Sequence, residues 1–409
     1  MYFFALRIFD TCNMRPLSRM LPRDFRRDTS DILVTCPKGL SDSVRSEIVE
    51  LGMEVSGQFY TGVRTRGTLH DCIILNLSLS TAHHVLYQVL AQTCATPDEL
   101  YTAVSSLDWE HLIPLDTTLT VTSTVKTASI TDTRYANLRC KDAIVDRLAS
   151  KIGKRCDSGP RRDGAVVHLY WQDDRCILYI DTSGEALSRR GYRLYPGGAP
   201  MQESLAAGVI RATRWTGETH FVNPMCGSGT LAVEAALMAL GRRPGTIRAN
   251  FGFMHLIPFD RNDFSKVLDR LRALEKTAPG AEIIATDIDR GAIENATKNA
   301  KAAGVDSIVR FETCDFDATT IPSGSGIVIM NPEYGYRLGD VAQLPILYKR
   351  IGDFLKQRCA GYTGYVFSGN FDLVKKIGLK AGRKTPFLNG TIECRLYEYA
   401  LYRGTKTTG

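Results

Sequence analysis

The stretch THFVNPMCGSGTLAVEAALMAL, Thr219–Leu240, decides the reading of this chain. A short apolar run, Phe221-Val222, ends at Asn223-Pro224, two glycines follow at Gly227 and Gly229, and a segment apolar but for Glu234 runs on from Leu231. Strand, glycine turn and helix in that order open a doubly wound parallel sheet. The two glycines let the backbone turn tightly and lie against a ligand with no Cβ in the way. The helix that follows offers its N-terminus to a polar group. A dinucleotide site wants a further glycine three residues on; that place holds Ala232, which argues against NAD.

Downstream the alternation continues. EIIATDID (282–289), SIVRFETCDF (307–316), GIVIMNP (326–332) and GYVFSGN (364–370) read as strands. Helical segments stand at 293–304 and 344–359. The chain then closes with KTPFLNGTIECRLYEYAL (384–401), where Asn389-Gly390 between apolar runs signals a hairpin. A parallel sheet that ends in an antiparallel hairpin is unusual among nucleotide-binding folds.

Upstream, order becomes visible at Asp31: a strand, then a helix with Val44, Ile48 and Leu51 on one face. GVRTRGTL (62–69) and CIILNLSL (72–79) read as strands and TAHHVLYQVL (81–90) as a helix. The β-branched run 118–126, a helix over 133–153, and the strands 165–171 and 176–184 across a Gln-Asp-Asp turn complete a small α+β module. The predicted organisation is a basic, disordered leader (1–30), a small N-terminal part (31–75), a second α+β module (76–185), a linker (186–200), a doubly wound domain (201–403) and a tail (404–409).

The totals suit that plan. At 409 residues, 44% hydrophobic and 23% charged, the chain is long enough for two or three cores and too apolar for disorder. A net charge of +7 permits an RNA partner without requiring one. Eleven scattered cysteines without a C-x-x-C pattern read as reduced thiols in a cytoplasmic protein, with no metal site. No apolar run is long enough to span a membrane.

Three further positions carry chemistry. Asp287, at the end of the second strand, can accept both hydroxyls of a ribose, although a strand-end Asp is also a common helix cap. Asp315 can bond an adenine amine while Phe316 packs on the ring. At Asn331-Pro332, the side-chain oxygen and the Pro332 carbonyl can both accept from a flat amino group, and Tyr334 offers an aromatic face. An exocyclic amine is a poor nucleophile because its lone pair is delocalised into the ring. Two acceptors favour its pyramidal form and aim the lone pair at an electrophilic methyl, so catalysis is mostly positioning.

These motifs resemble the THUMP-domain class I methyltransferases, most closely the bacterial large-subunit ribosomal RNA guanine-N2 methyltransferases. The likeness spans 31–402 and rests on PMCGSGT (224–230), the Asn-Pro-x-Tyr-Gly motif (331–335), the Asn-Gly hairpin (389–390), SGEALSRRGYR (183–193) and KDAIVDR (141–147). It implies a Rossmann-like methyltransferase sheet behind a ferredoxin-like and THUMP module. It further implies that Asn223, Pro224, Cys226, Gly227, Ser228, Gly229, Thr230, Asp287, Ile288, Asp315 and Phe316 hold S-adenosylmethionine. Asn331, Pro332 and Tyr334 would hold the target amine, in 23S rRNA or a pre-ribosomal particle. Two positions depart from the family pattern: Asn223 stands where Asp is usual, and Glu333 where Pro is usual. Glu333 either accepts from a guanine ring N–H or faces solvent.

RNA contacts are expected from Lys151, Lys154, Arg155, Arg189, Arg190, Tyr192 and Arg193, the last four in a stretch without an acidic residue. Guanine-N2 methylation of transfer RNA, methylation of a DNA adenine amine, and an inactive assembly factor that has kept the fold are the competing readings.

Overall fold

The computed structural model describes residues 24–130, 132–196, 201–335 and 342–402. Most of the expected leader, part of the linker and all of the tail lie outside the described residues. Two compact units emerge among the described residues: those within 24–36, 44–187 and 248–269 form one, and those within 37–43, 188–247 and 270–402 form the other.

The first unit carries β1 (Ser30–Thr35), most of α1 (Ser41–Glu50), β2 (Val55–Phe59), β3 (Gly62–Gly67), α2 (Leu69–Ser78), β4 (His84–Thr93), α3 (Pro97–Ser105), β5 (Leu119–Lys126), α4 (Thr133–Ile152), β6 (Ala165–Gln172) and β7 (Arg175–Asp181). Its seven strands pair in the order β2-β3-β1-β4-β7-β6-β5. Only β5 and β6 run parallel.

Two expectations fail in this unit. CIILNLSL lies in the helix α2, not in a strand. Thr68 caps its N-terminus and Asp71 answers the Thr68 backbone, a reciprocal cap that stabilises a helix start by about 1 kcal/mol. The spacing Thr-x-x-Asp was the available signal. TAHHVLYQVL, expected as a helix, leads into the strand β4, paired with β1 on one side and β7 on the other. A strand with Val85, Leu86 and Tyr87 all buried loses the period of two that marks a strand with one solvated face.

The second unit carries α5 (Glu203–Ala212), β8 (His220–Pro224), α6 (Thr230–Ala239), the end of α7 (Arg261–Ala273), β9 (Ile283–Asp287), α8 (Arg290–Ala302), β10 (Val309–Thr313), β11 (Gly326–Met330), α9 (Leu344–Arg358), β12 (Thr363–Ser368), α10 (Phe371–Val374), β13 (Arg383–Asn389) and β14 (Ile392–Ala400). Its sheet runs β10-β9-β8-β11-β12-β14-β13. The first five strands are parallel, and β14 enters antiparallel between β12 and β13. Gly390, at φ 64°, turns the closing hairpin as Asn389-Gly390 implied. This is the doubly wound parallel sheet that the opening stretch foretold. Among the described residues no helix is long and apolar enough to cross a membrane.

Candidate functional site

In a parallel sheet every strand delivers its last residue to the same edge. Register fixes which residues meet there. β8 pairs with β9 so that Asn223 stands level with Ala285, and Thr313 of β10 stands level with Asp287. β11 lies on the other side of β8, with Val328 opposite Val222. The glycine turn and the Asn331 loop therefore leave the sheet from adjacent strands, about 4.8 Å apart in the pairing direction. The Asn223 amide laces them: its Nδ2 donates to the Ile329 carbonyl at 2.9 Å. A carboxylate cannot make that bond, so the departure at this position has a role inside the sheet.

The glycine turn is wound through three left-handed residues, Met225, Gly227 and Gly229, at φ 59°, 56° and 82°. The Gly227 N–H donates to Asp287 Oδ2 at 2.9 Å, and the Cys226 N–H to the Thr286 carbonyl at 2.9 Å. The glycines do different work. A Cβ on Gly229 would lie 2.9 Å from the Ala296 Cβ, so this glycine permits α8 to pack close. A Cβ on Gly227 would meet nothing within 4 Å. The turn thus opens there onto space that a ligand can take. Ser228 and Thr230 are buried beside it, as is Pro224 in β8; Cys226 is half-buried, and desolvation drives its thiol pKa far up. Asn223 is fully buried, and its Oδ1 has no hydrogen-bond partner among the described residues.

Asp287 accepts at both oxygens, Oδ2 from Gly227 and Oδ1 from the Asp289 N–H at 3.0 Å. Each oxygen keeps a lone pair, which suits two ribose hydroxyls. Ile288 next to it is 72% exposed, an apolar surface at the strand tip. Asp289 caps α8 through the Gly291 N–H, as its position before a helix suggested. These features together fit S-adenosylmethionine: a turn open at Gly227, a carboxylate pair of acceptors beyond it, and a second carboxylate, Asp315, at the next strand. Phe316 is only 5% exposed and packs edge-on against Phe354. Its ring belongs to the core, so stacking on adenine, expected from the sequence, is not where the side chain stands.

The Asn331 loop is held from behind. Tyr348 Oη donates to the Glu333 carbonyl at 3.1 Å, and Asn370 Nδ2 to the Tyr334 carbonyl at 3.2 Å. The Tyr334 hydroxyl donates to Asn331 Oδ1 at 2.9 Å and receives Asn389 Nδ2 at 3.5 Å. Burial raises the Tyr334 pKa well above the ordinary phenol value. The closing hairpin thus supplies a residue to this loop. Asn331 Oδ1 has two lone pairs and keeps one beside the Tyr334 bond. Asn370 and Tyr348 were not foreseen; Asn370 stands two residues beyond the end of β12, close to the strand tip as Asn331 is at β11, and that was the signal.

The expected RNA residues divide. Lys151, Lys154, Arg155 and Arg189 are exposed, and Arg155 pairs with Asp146. Arg190 and Tyr192 are each 1% exposed, and both reach Glu234 of α6, at 3.4 and 3.0 Å. Arg193 pairs with Glu203 at 3.1 Å. Arg190 and Tyr192 therefore cannot meet RNA as expected, because burial removes them from the surface. The segment around them is packed structure of the second unit. Asn299 fastens it to the glycine turn, with Nδ2 on the carbonyls of Tyr195 and Ser228 at 3.0 and 3.1 Å.

Comparison with known proteins agrees with this architecture. Residues 190–398 match the RMKL-like methyltransferase domain, 94–181 the THUMP domain, and 31–86 the RlmL ferredoxin-like domain. A Synechocystis protein named for RNA methyltransferase activity is 31% identical over 92% of this chain and 98% of its own. The ribosomal RNA large subunit methyltransferase K/L of Methylococcus capsulatus is 35% identical over 90% of this chain. The chain spans only about half, 51%, of that relative's length. Among solved structures, one described as a methyltransferase complexed with SAH superposes with a TM-score of 0.83 at 26% identity, over 92% of this chain and 99% of that one. A Listeria monocytogenes protein described as an N6-adenine-specific DNA methylase superposes at 0.82 with 28% identity, over 91% and 97%. The chain belongs to the THUMP-containing, RMKL-like family of S-adenosylmethionine-dependent methyltransferases.

Proposed function

We propose that the chain transfers a methyl group to the exocyclic N2 amine of a guanine in 23S ribosomal RNA or a pre-ribosomal particle, in the cytoplasm. The observation that carries the proposal is the adjacency of β8 and β11, which brings a glycine turn open at Gly227 beside the paired acceptors Asn331 and Pro332. The Synechocystis and K/L relatives support RNA, and a THUMP domain in the first unit supports the same class of substrate.

S-adenosylmethionine supplies the electrophilic methyl when bound. Gly227–Thr230 would receive its methionyl end, Asp287 its ribose hydroxyls and Asp315 its adenine edge, with Ile288 alongside. Asn331 Oδ1 and the Pro332 carbonyl accept from the guanine amine, which localises its lone pair and orients it for in-line displacement. No side chain of the loop forms a covalent bond to substrate. The amine's surplus proton leaves after transfer, when the methylated nitrogen is far more acidic. Glu333 is exposed two residues from Asn331, so its carboxylate faces solvent in the free protein and is open to the ring N–H of a guanine held at that loop. A guanine in folded RNA must leave its stack to reach this loop.

A second reading, methylation of an adenine amine in DNA, is favoured by the description of the Listeria structure. One experiment separates the two. The protein is incubated with isotopically labelled S-adenosylmethionine and either deproteinised 23S rRNA or DNA, and the nucleosides are resolved by mass spectrometry. Labelled N2-methylguanosine from RNA is the expected product. Label on adenine, or on a ring nitrogen of guanine, overturns the proposal.

A further inference from the structure

Three residues of α9 at helical spacing, Arg350, Phe354 and Arg358, grip the turn that follows β10. Arg350 Nη2 lies 2.8 Å from Asp315 Oδ1. Its Nε donates to Asp317 Oδ2 at 3.1 Å, and Nη2 reaches the same oxygen. Its guanidinium carbon stands 4.8 Å over the Phe316 ring, and Phe354 meets that ring edge-on at 5.7 Å. Arg358 Nη1 donates to the Asp317 carbonyl at 3.0 Å. Residues four apart share one face of a helix, so a single stripe of α9 holds the turn from two sides and along its backbone. The adjoining face, with Tyr348, Ile351 and Leu355, is anchored in the core together with Phe354.

Asp315 Oδ1 is doubly engaged, by Arg350 and by the Asp317 N–H at 3.0 Å. No bond within the described residues uses Oδ2. Both contacts at Oδ1 are made to an ionised carboxylate, which accepts only and never donates. We infer that Arg350 is a specificity-determining positioning residue for the cofactor: it pins one oxygen of Asp315 so that the other is offered, as a pure acceptor, to the 6-amino group of adenine.

This assignment rests on the reading of Asp315 as the adenine-edge residue. It predicts discrimination against a cofactor that lacks the amine. A charge-assisted hydrogen bond of this kind is worth roughly ten- to a hundredfold in binding. Burial of Asp315 works against its charge, but the Asp317 N–H and the Arg350 guanidinium outweigh it and hold the carboxyl below its usual range. Without Arg350, Asp315 and Asp317 stand as neighbouring carboxylates with their shared cation gone.

The test is calorimetric binding of S-adenosylhomocysteine and of its 6-deamino analogue, with purine in place of adenine, to wild type, R350A, R350K and D315N. Wild type is expected to prefer the adenine compound at least tenfold. The preference is expected to fall below threefold in R350A and D315N and to be intermediate in R350K, which keeps the charge without the fork. If R350A weakens both ligands alike and leaves the ratio intact, Arg350 is merely structural and the inference fails alone. If wild type binds the adenine compound without any preference, the adenine-edge reading of Asp315 fails and takes the inference with it. If wild type binds neither compound, the cofactor site itself is wrongly located. Should R350A not fold, the ratio in R350K and D315N decides the matter in the same way.

Discussion

The molecule holds two seven-stranded sheets whose chemistry is organised along different directions. In the second unit five strands run parallel, and their C-terminal tips gather Asn223, Asp287, Asp315 and Asn331 at or just beyond one edge. In the first unit neighbouring strands mostly oppose each other, so successive tips lie at opposite edges and no such row forms. Its polar residues lie across a face instead: Thr122 and His168 pair at 2.9 Å on β5 and β6, and His84 and Asp181 at 2.9 Å on β4 and β7. A parallel sheet writes its site into the sequence as the residue after each apolar run. A mixed antiparallel sheet does not.

The largest effect that bears on this contrast belongs to the edge. Asn331→Ala is expected to lower methyl transfer by roughly a thousandfold, since on the proposed function it removes one of two acceptors for the target amine. Affinity for S-adenosylhomocysteine is expected to stay within a few-fold, by calorimetry. An equal loss of cofactor affinity would move Asn331 from the substrate side to the cofactor side.

Arg190→Ala probes the segment expected to be surface. Glu234 stays buried after the arginine is lost, and removing one partner of a buried ion pair costs about 3 kcal/mol. Arg189→Ala, one residue away and exposed, is expected to change stability by less than about 0.5 kcal/mol. Urea unfolding of the two variants measures this, and equal values would refute the buried assignment.

On the face of the first sheet, burial holds the His168 pKa at about 4, opposed by Asp181 and aided by His84 and Arg162. Its folded value lies below the ordinary 6.5, so the unfolded chain takes the proton first as pH falls. Stability from this group is therefore complete above pH 6.5 and is lost on the way down to about 4, by up to about 1.4 kcal/mol per pH unit. His168→Gln is expected to flatten that slope in unfolding measured between these limits. An unchanged slope would show that His168 is not the titrating group.

The two glycines sharpen the edge itself. Gly229→Ala is expected to destabilise the fold by about 2 kcal/mol, from left-handed strain and the contact with Ala296. Gly227→Ala is expected to cost about 1 kcal/mol from strain alone, with the greater loss in cofactor affinity. Thermal unfolding with and without S-adenosylhomocysteine distinguishes them, and the reverse pattern would contradict the assigned roles. Smallest of all, replacing Lys151, Lys154 and Arg155 by Ala is expected to leave stability within about 0.5 kcal/mol. The same variant is expected to shallow the salt dependence of RNA binding; an unchanged slope would remove these residues from the interface.

Legibility followed the same divide. The strands of the parallel sheet, the glycine turn and the Asn-Gly hairpin were read correctly because each is a local signal: an apolar run, a pair of glycines, a turn dipeptide. In the first unit α2 and β4 were exchanged, since apolar runs of eight to ten residues look alike and only the Thr68–Asp71 cap separated them. The burial of Arg190 and Tyr192 was invisible, because it depends on Glu234, which stands 44 positions from Arg190. Arg350 was equally hidden, a charged helix residue among many until the fold sets it over Asp315 and Phe316.

The most direct test is a crystal structure of the chain with S-adenosylhomocysteine. The account predicts ribose hydroxyls on Asp287, the adenine amine at Asp315 Oδ2, and the sulfur facing the Asn331–Pro332 loop. A ligand bound away from Gly227, or a sulfur turned from that loop, would contradict it.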